Sequence, residues 1–320
     1  MLNFTTDDIR PQDRFDHWCE VRGRHLFGVT IELDRARRDK FEGRFAAVAV
    51  GTATVSELRA SSYRVSRTPS DIARVAGRSL CIGLQVRGPG WIGVGRAPPQ
   101  RVREGDLLVN HSDLPYAGVP ERSDGFDFRT LRIPLTCELL LGAEAEDLFA
   151  TPLDRSLPVA RPLMALFHAL TTRPADISDP HAEVAHIVRL ALVSRGRLAP
   201  GLPESRAALR SGLLHAARGI LARDLRQPGL SPGAVARELG ISLRQVHVLF
   251  EPTEQSFART LTAMRLADAS RMLVAQPARS VTDIAYRCGF DSIATFYRAF
   301  RAAYGMTPND AREKGRHTDH

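Results

Sequence analysis

Two short sets of residues could make specific hydrogen bonds and methyl contacts from a helix surface. Arg244, Gln245 and His247 form the first; Ser292, Ile293, Ala294, Thr295, Tyr297, Arg298 and Arg301 form the second. An arginine fork can pair with guanine and a glutamine amide with adenine, at ~1–3 kcal/mol of discrimination each. Isoleucine and alanine neither donate nor accept, but they can touch a thymine methyl. Such side chains must stand near the start of a helix that fits a major groove, with later arginines left for phosphates.

The spacing supplies helices of that kind. Residues 231–250 read as two short helices joined by a tight turn. Ser231 is placed to cap the first, with Pro232 at the position where a missing N–H costs nothing. Val235, Ala236 and Leu239 line one face, and Gly240 can enter the left-handed conformation that ends a helix. Ile241 packs back, Ser242 and Gln245 form a capping box, and Val246, Leu249 and Phe250 make the buried stripe of the second helix. The design returns 49 residues later, counted from Gly240 to Gly289. Ser280 with Asp283 opens a helix whose Ile284, Ala285 and Cys288 face inward. Gly289 turns, Phe290 packs back, and Asp291 is expected to cap the helix through Phe296 and Phe300. Residues 257–276 between the units read as one helix, whose ~30 Å length approaches one turn of B-DNA. Two recognition helices held so far apart could enter successive major grooves on one face. The competing reading is a helical protein-binding module that happens to repeat, and two such units in tandem at this spacing weigh against it.

These residues resemble the DNA-binding domain of AraC/XylS-type transcription regulators over about 209–315. The matching pieces are Leu-Ser-x-x-x-Val-Ala in 230–236, Leu-Gly-Ile-Ser in 239–242 and Met-Arg-Leu-Ala-Asp-Ala in 264–269. The strongest are Asp-Ile-Ala-Tyr-Arg-Cys-Gly-Phe (283–290), Phe-Tyr-Arg-Ala-Phe-Arg (296–301) and Tyr-Gly-Met-Thr-Pro (304–308). The resemblance implies double-stranded promoter or operator DNA as partner, activation through RNA polymerase, and homodimerisation. The family often carries Arg where this chain has Val248, and polar residues where it has Ile293 and Ala294. The first unit is therefore expected to discriminate bases better than the second.

Charge is distributed to match. The net charge of the 320-residue chain is +8. Residues 207–316 hold 16 Lys or Arg against 9 Asp or Glu, while 1–206 hold 28 against 26. A basic excess confined to the helical segment is what attraction to phosphates requires. The length predicts two domains, and a hydrophobic content of 43% is enough to build cores. Cys19, Cys81, Cys137 and Cys288 form no metal-like pair. Charge begins at Asp7 and no apolar run approaches 18 residues, so a cytoplasmic protein without a membrane partner is expected.

Ahead of the helices the pattern is β. Asp13 to Trp18 opens a short helix with Phe15 and Trp18 inward. From 41 to 135, segments such as Phe45–Val55, Ser62–Thr68, Leu80–Val86 and Leu107–Asn110 alternate with turn signals. This predicts a sandwich or jelly-roll barrel. Asp-Arg-Phe-Asp-x-Trp (13–18), Ser-Arg-Thr-Pro (66–69), Gly-Asp-Leu-Leu (105–108), Pro115-Tyr116 and Arg-Ile-Pro (132–134) resemble, in that order, the cupin-like sensor domain of one branch of the same family. That resemblance implies a small organic effector, aromatic or amine-derived. Trp91, Tyr116, Tyr63, Gln85, Arg67 and His111 are the candidates to line its pocket. Leu163, Leu166, Phe167 and Leu170, then Val184, Ile187, Val188, Ala191 and Leu192, predict two amphipathic helices, and Arg195–Ser205 reads as a linker.

The expected fold is thus α+β: residues 1–135 a cupin-like β-barrel that senses an effector, 136–206 a helical flank with dimer contacts and linker, 207–316 an all-α tandem helix-turn-helix domain. Two further readings remain open, a metal-dependent cupin enzyme fused to a DNA-binding tail and a constitutive DNA binder whose barrel only dimerises. The enzyme reading is weak, because residues 41–135 contain one histidine, His111, and no nucleophile elbow, His-Glu-x-x-His or phosphate loop appears. No metal or cofactor is expected.

Overall fold

The computed structural model describes residues 2–253 and 255–318, apart from the side chains of 24–26 and 315–318. The chain divides into two units, Met1–Gly212 and Leu213–His320, and the division falls inside one helix.

Among the described residues, the first unit is built on twelve strands. In chain order they are β1 (Leu2–Thr5), β2 (Thr30–Glu32), β3 (Gly43–Val50), β4 (Ala53–Ala60), β5 (Arg64–Arg67) and β6 (Ser79–Arg87). There follow β7 (Gly90–Gly93), β8 (Gln100–Val102), β9 (Leu107–His111), β10 (Tyr116–Pro120), β11 (Phe126–Pro134) and β12 (Thr151–Pro152). Helices α1 (Pro11–Trp18), α2 (Arg35–Arg38) and α3 (Pro69–Arg74) lie among them, with a π-helical segment, Cys19–Phe27, directly after α1. After the strands come α4 (Cys137–Leu140), α5 (Ala160–Thr172), α6 (Pro180–Ser194) and α7 (Pro203–Asp224).

The strands form two antiparallel sheets. One runs β1-β3-β4-β11-β6-β9-β12, the other β2-β5-β10-β7-β8. This is the cupin-like β domain, with its two sheets separate rather than joined into one closed barrel. The expected segment Phe45–Val55 is two strands, because Gly51 turns the chain at φ +57° between β3 and β4. Seven strands that the sequence reading did not single out, β1, β2, β7, β8, β10, β11 and β12, complete the sheets, and β11 is the central partner of both β4 and β6. The period-2 alternation of strands explains how the larger sheet serves two purposes. Leu80, Ile82, Leu84, Leu131 and Ile133 point to one side and pack with Leu163, Leu166, Phe167, Leu170, Val184 and Ile187 of α5 and α6. Their neighbours Cys81, Gly83, Gln85, Phe128, Thr130 and Arg132 point to the other side, into a cavity. The expected linker at 195–205 contains the first residues of α7, and Ala208 of that helix is buried in the α5–α6 core.

In the second unit, α8 (Pro232–Leu239), α9 (Leu243–Phe250), α10 (Phe257–Ala275), α11 (Val281–Arg287), α12 (Ile293–Tyr304) and α13 (Pro308–Thr318) follow the end of α7. Two cores form. Val235, Ala236, Val246, Leu249 and Phe250 pack with Ile220 and Leu221 in one; Ile284, Ala285, Cys288, Phe290, Phe296 and Phe300 make the other. Helix α10 is shared, since Phe257 and Leu261 belong to the first core, Leu266, Ala269, Met272 and Leu273 to the second. Its apolar residues therefore occupy different faces along its 19 residues, which span ~28 Å.

Candidate nucleic-acid interface and effector cavity

Each expected recognition helix starts on a serine. Ser242 Oγ accepts from Gln245 N at 3.1 Å, while Ser242 N donates to Gln245 Oε1 at 2.8 Å, closing the capping box. Gly240 ends α8 at φ +68°, the left-handed conformation that glycine adopts most cheaply. In the second pair Gly289 turns at φ +84°. The cap of α12 is Ser292, not Asp291. Ser292 is the extended residue immediately before the helix, so its Oγ reaches Thr295 N at 3.4 Å; Asp291 lies one position too early.

The faces left outside differ. Arg244, Gln245 and His247 are exposed, with Val248 half-buried beside them. Arg244 and His247 have no side-chain partner among the described residues. Gln245 does: its side-chain oxygen accepts from Ser242 N, which holds the amide back against the start of its own helix rather than extended toward a base. On α12, Ala294, Thr295, Arg298 and Arg301 are exposed, whereas Ile293 and Tyr297 are half-buried against the second core. Arg298 is without a side-chain partner among the described residues, and Arg301 faces Asp310 electrostatically.

Many other arginines of this unit build structure. Arg223 bridges Asp224 and Glu238, and Arg279 and Arg287 both grip Asp283. The buried Asp268 of α10 accepts from Arg226 Nε at 2.9 Å and from Arg271 Nη2 at 3.0 Å. Three residues earlier, Arg265 donates to the Leu225 and Gln227 carbonyls at 2.8 and 2.7 Å. A Cβ at Gly289 would stand 2.7 Å from that same Leu225 oxygen, so the second turn closes against the segment leaving α7. Burial and the Asp268 charge push the Cys288 thiol up to about 11. The sequence reading missed this cluster, because a buried Asp among helix surface charges has no period of its own. The basic excess of the helical segment is therefore only partly available to phosphates.

In the first unit a cavity of about 210 Å³ is lined by Trp91, Tyr116, Tyr63, Gln85 and Arg67, five of the six residues expected there. His111 does not line it. It is buried, accepts from Asp113 N at 3.2 Å, and burial holds its pKa below the usual range. Arg67 lines the cavity but is structural: its donors go to the carbonyls of Ser112, Phe27, Gly28 and Val75 at 2.5–2.7 Å. Gln85 Nε2 is likewise engaged by the Arg87 and Gly88 carbonyls. Trp91 is 42% exposed. Gly83 shapes the wall, since a Cβ there would meet the Phe128 ring at 2.3 Å.

One lining residue was absent from the expected set. Arg22, on the Cys19–Phe27 segment, has Nε and Nη1 buried without a hydrogen-bond partner. Its guanidinium lies 5.2, 5.7 and 5.9 Å from the ring centres of Phe27, Tyr63 and Trp18. The Tyr63 hydroxyl and Trp18 Nε1 are also buried and unpartnered. Burial raises the Tyr63 and Tyr116 phenols, and the nearby Arg22 charge opposes the shift in both. The only sequence signal was an arginine within an aromatic stretch from Trp18 to Phe27.

Serine-capped helix pairs in tandem, preceded by a two-sheet domain that encloses a cavity, define a helix-turn-helix regulator with a sensor domain. Comparison with known proteins agrees. The helix-turn-helix domain family matches residues 235–314, and the AraC-binding-like domain family matches residues 18–194. The transcriptional activator NphR of Rhodococcus sp. is 25% identical over 323 aligned residues, covering 96% of this chain and 91% of NphR. The activator RhaS of Escherichia coli is 41% identical over 81 residues, 25% of this chain and 29% of RhaS. The crystal structure of the AraC-like activator CuxR covers 85% of this chain and 96% of its own, at 20% identity and a TM-score of 0.48. The chain belongs to the AraC family through its AraC-binding-like domain, and it is a DNA-binding transcriptional regulator. No described helix is long and apolar enough to cross a membrane.

Proposed function

We propose that the chain is an effector-responsive transcriptional activator. A small organic molecule enters the cavity between the sheets, favours one state of the protein and so changes its engagement with promoter DNA and RNA polymerase. For such a switch the molecule must bind the two states with different affinity. In this reading residues 1–135 sense, 136–206 provide flank and homodimer contacts, and 207–316 bind DNA. Arg244 and His247 read base edges, Gln245 sets the helix that carries them, and Ala294 and Thr295 offer methyl and hydroxyl contacts. Arg298 and Arg301 hold phosphates, while Ile293 and Tyr297 support the second helix from below. The observation that carries the proposal is the exposure of unpartnered Arg244, His247 and Arg298 while the stripes behind them are buried. That NphR and RhaS are named as activators supports the sign of regulation.

Fluorescence anisotropy of the full chain on DNA flanking its own gene tests this. Affinity should fall steeply with salt, and Arg244→Ala should weaken it on the order of 10-fold or more. A panel of small aromatic acids, amides and amines should contain a compound that shifts both the melting temperature and the DNA affinity. DNA binding that no compound changes would leave a constitutive binder; no DNA binding would overturn the reading.

A further inference from the structure

We propose that the effector is an organic anion, a single-ring carboxylate, anchored in the cavity by Arg22 with the Tyr63 hydroxyl. This rests on the reading of the cavity as the effector site and names the class of molecule it takes.

Arg22 carries an unmet charge. A guanidinium carries five N–H donors and cannot be deprotonated in a protein. Burying such a cation without an acceptor is costly, and proteins avoid it unless something completes the site. Arg22 has two of its nitrogens buried with no acceptor, and no lining residue of the cavity is Asp or Glu. Of the other two arginines in the lining, Arg67 is fully engaged and Arg132 makes one long hydrogen bond, at 3.4 Å. Arg67 is saturated by four carbonyls and lies 3.6 Å from Asp113, and Arg132 donates to Ser79 Oγ. Arg22 is the lining arginine whose buried nitrogens meet no acceptor among the described residues. The rings of Phe27, Tyr63 and Trp18 around it supply cation–π attraction, which holds the group in place without satisfying its N–H donors.

The Tyr63 hydroxyl is a second buried donor without an acceptor, on a ring that faces the same guanidinium. A carboxylate accepts from a planar fork and has lone pairs remaining for a hydroxyl, so one anion can complete both groups. An ammonium would meet Arg22 as a like charge, and a neutral amide would leave that charge unneutralised. The amine-derived effectors implied by resemblance alone are therefore disfavoured for this chain. Size narrows the choice further. About 210 Å³ lies below the roughly 300–1,000 Å³ of pockets for drug-sized ligands. Phe45, Phe126 and Phe128 supply walls for one aromatic ring, and Gly83 leaves the space that Phe128 occupies.

Isothermal titration calorimetry and thermal melts of the full chain test the assignment. The probes are benzoate, phenylacetate and 3-phenylpropanoate, each beside its primary amide and the corresponding amine. At least one acid should bind on the order of 10- to 100-fold more tightly than its amide, the range for hydrogen bonds to a charged group. Arg22→Met should bring that acid to within about threefold of its amide, by loss of the same charged hydrogen bonds. Without ligand, the same variant should melt no lower than the parent, since it removes an unpaired buried charge; a purely structural arginine would lower the melt. Should Arg22→Met not fold, Tyr63→Phe serves, and it should weaken the acid several-fold while leaving the amide unchanged. An amide or amine that binds as tightly as its acid, or an acid indifferent to Arg22→Met, would overturn the anion and leave the cavity as an effector site. Silence from every probe would overturn both.

Discussion

The two helix-turn-helix units share one local grammar and put it to different uses. Both end their first helix at a left-handed glycine and start the second on a serine. In the first unit the cap is reciprocal, and α9 shows Arg244 and His247 to solvent over a core in which Phe250 meets Phe257 at 5.5 Å. In the second the cap is one-sided, and the helix is heavily anchored. Phe290, Phe296, Phe300 and Tyr304 form a ladder with centroid spacings of 5.1, 5.5 and 4.6 Å, and Ile293 and Tyr297 lean on it. Asp268 and Arg265 brace its turn against the segment leaving α7. The contrast teaches that repetition of a fold need not mean repetition of a role: on the proposed reading the first unit reads bases and the second grips and holds.

Removing the ladder's centre should break the comparison most severely. Phe296→Ala deletes a fully buried ring and should cost about 3–5 kcal/mol in chemical denaturation followed by circular dichroism, with DNA binding lost. A loss under 1 kcal/mol would mean that the second unit is not the anchor. Asp268→Ala should come next, at about 1–3 kcal/mol. The figure is below that of a sealed ion pair because Arg226 and Arg271 are 61% and 78% exposed. It should weaken binding to every DNA sequence alike, because it loosens the brace rather than removing a reader. Gln245→Ala should act least, by about 1 kcal/mol of stability from the lost capping box. Its base preference should not change; unaltered stability with a lost adenine preference would move Gln245 from brace to reader.

How much of this was legible follows from the range of each interaction. Ser231, Gly240, Ser242, Ser280 and Gly289 work within three or four residues, so pattern alone placed them. The cap of α12 was misplaced by one residue, since Asp291 and Ser292 are both competent and only the backbone angles choose between them. The stripes of α5 and α6 were readable from their period. In the β domain the strands with clear turns were found, whereas others, β7, β10 and β11 among them, were not, because pairing partners distant in sequence define them. The same reason hid Arg22 and Asp268. An arginine becomes an anchor, and an aspartate a brace, only when remote segments seal them from water. His111 shows the reverse case: it was a candidate to line the effector pocket, and the fold buries it away from the cavity and uses it for a local hydrogen bond.

Unequal reading is the claim to test directly, by selecting bound DNA from a random pool with the full chain, Arg244→Ala and Arg298→Ala. Arg244→Ala should erase preference at one or two positions, worth ~1–3 kcal/mol each. Arg298→Ala should keep the parent's consensus, bind all sequences more weakly and flatten the salt dependence by about one ion. Equal loss of base preference in both variants, or loss in Arg298→Ala alone, would contradict the account.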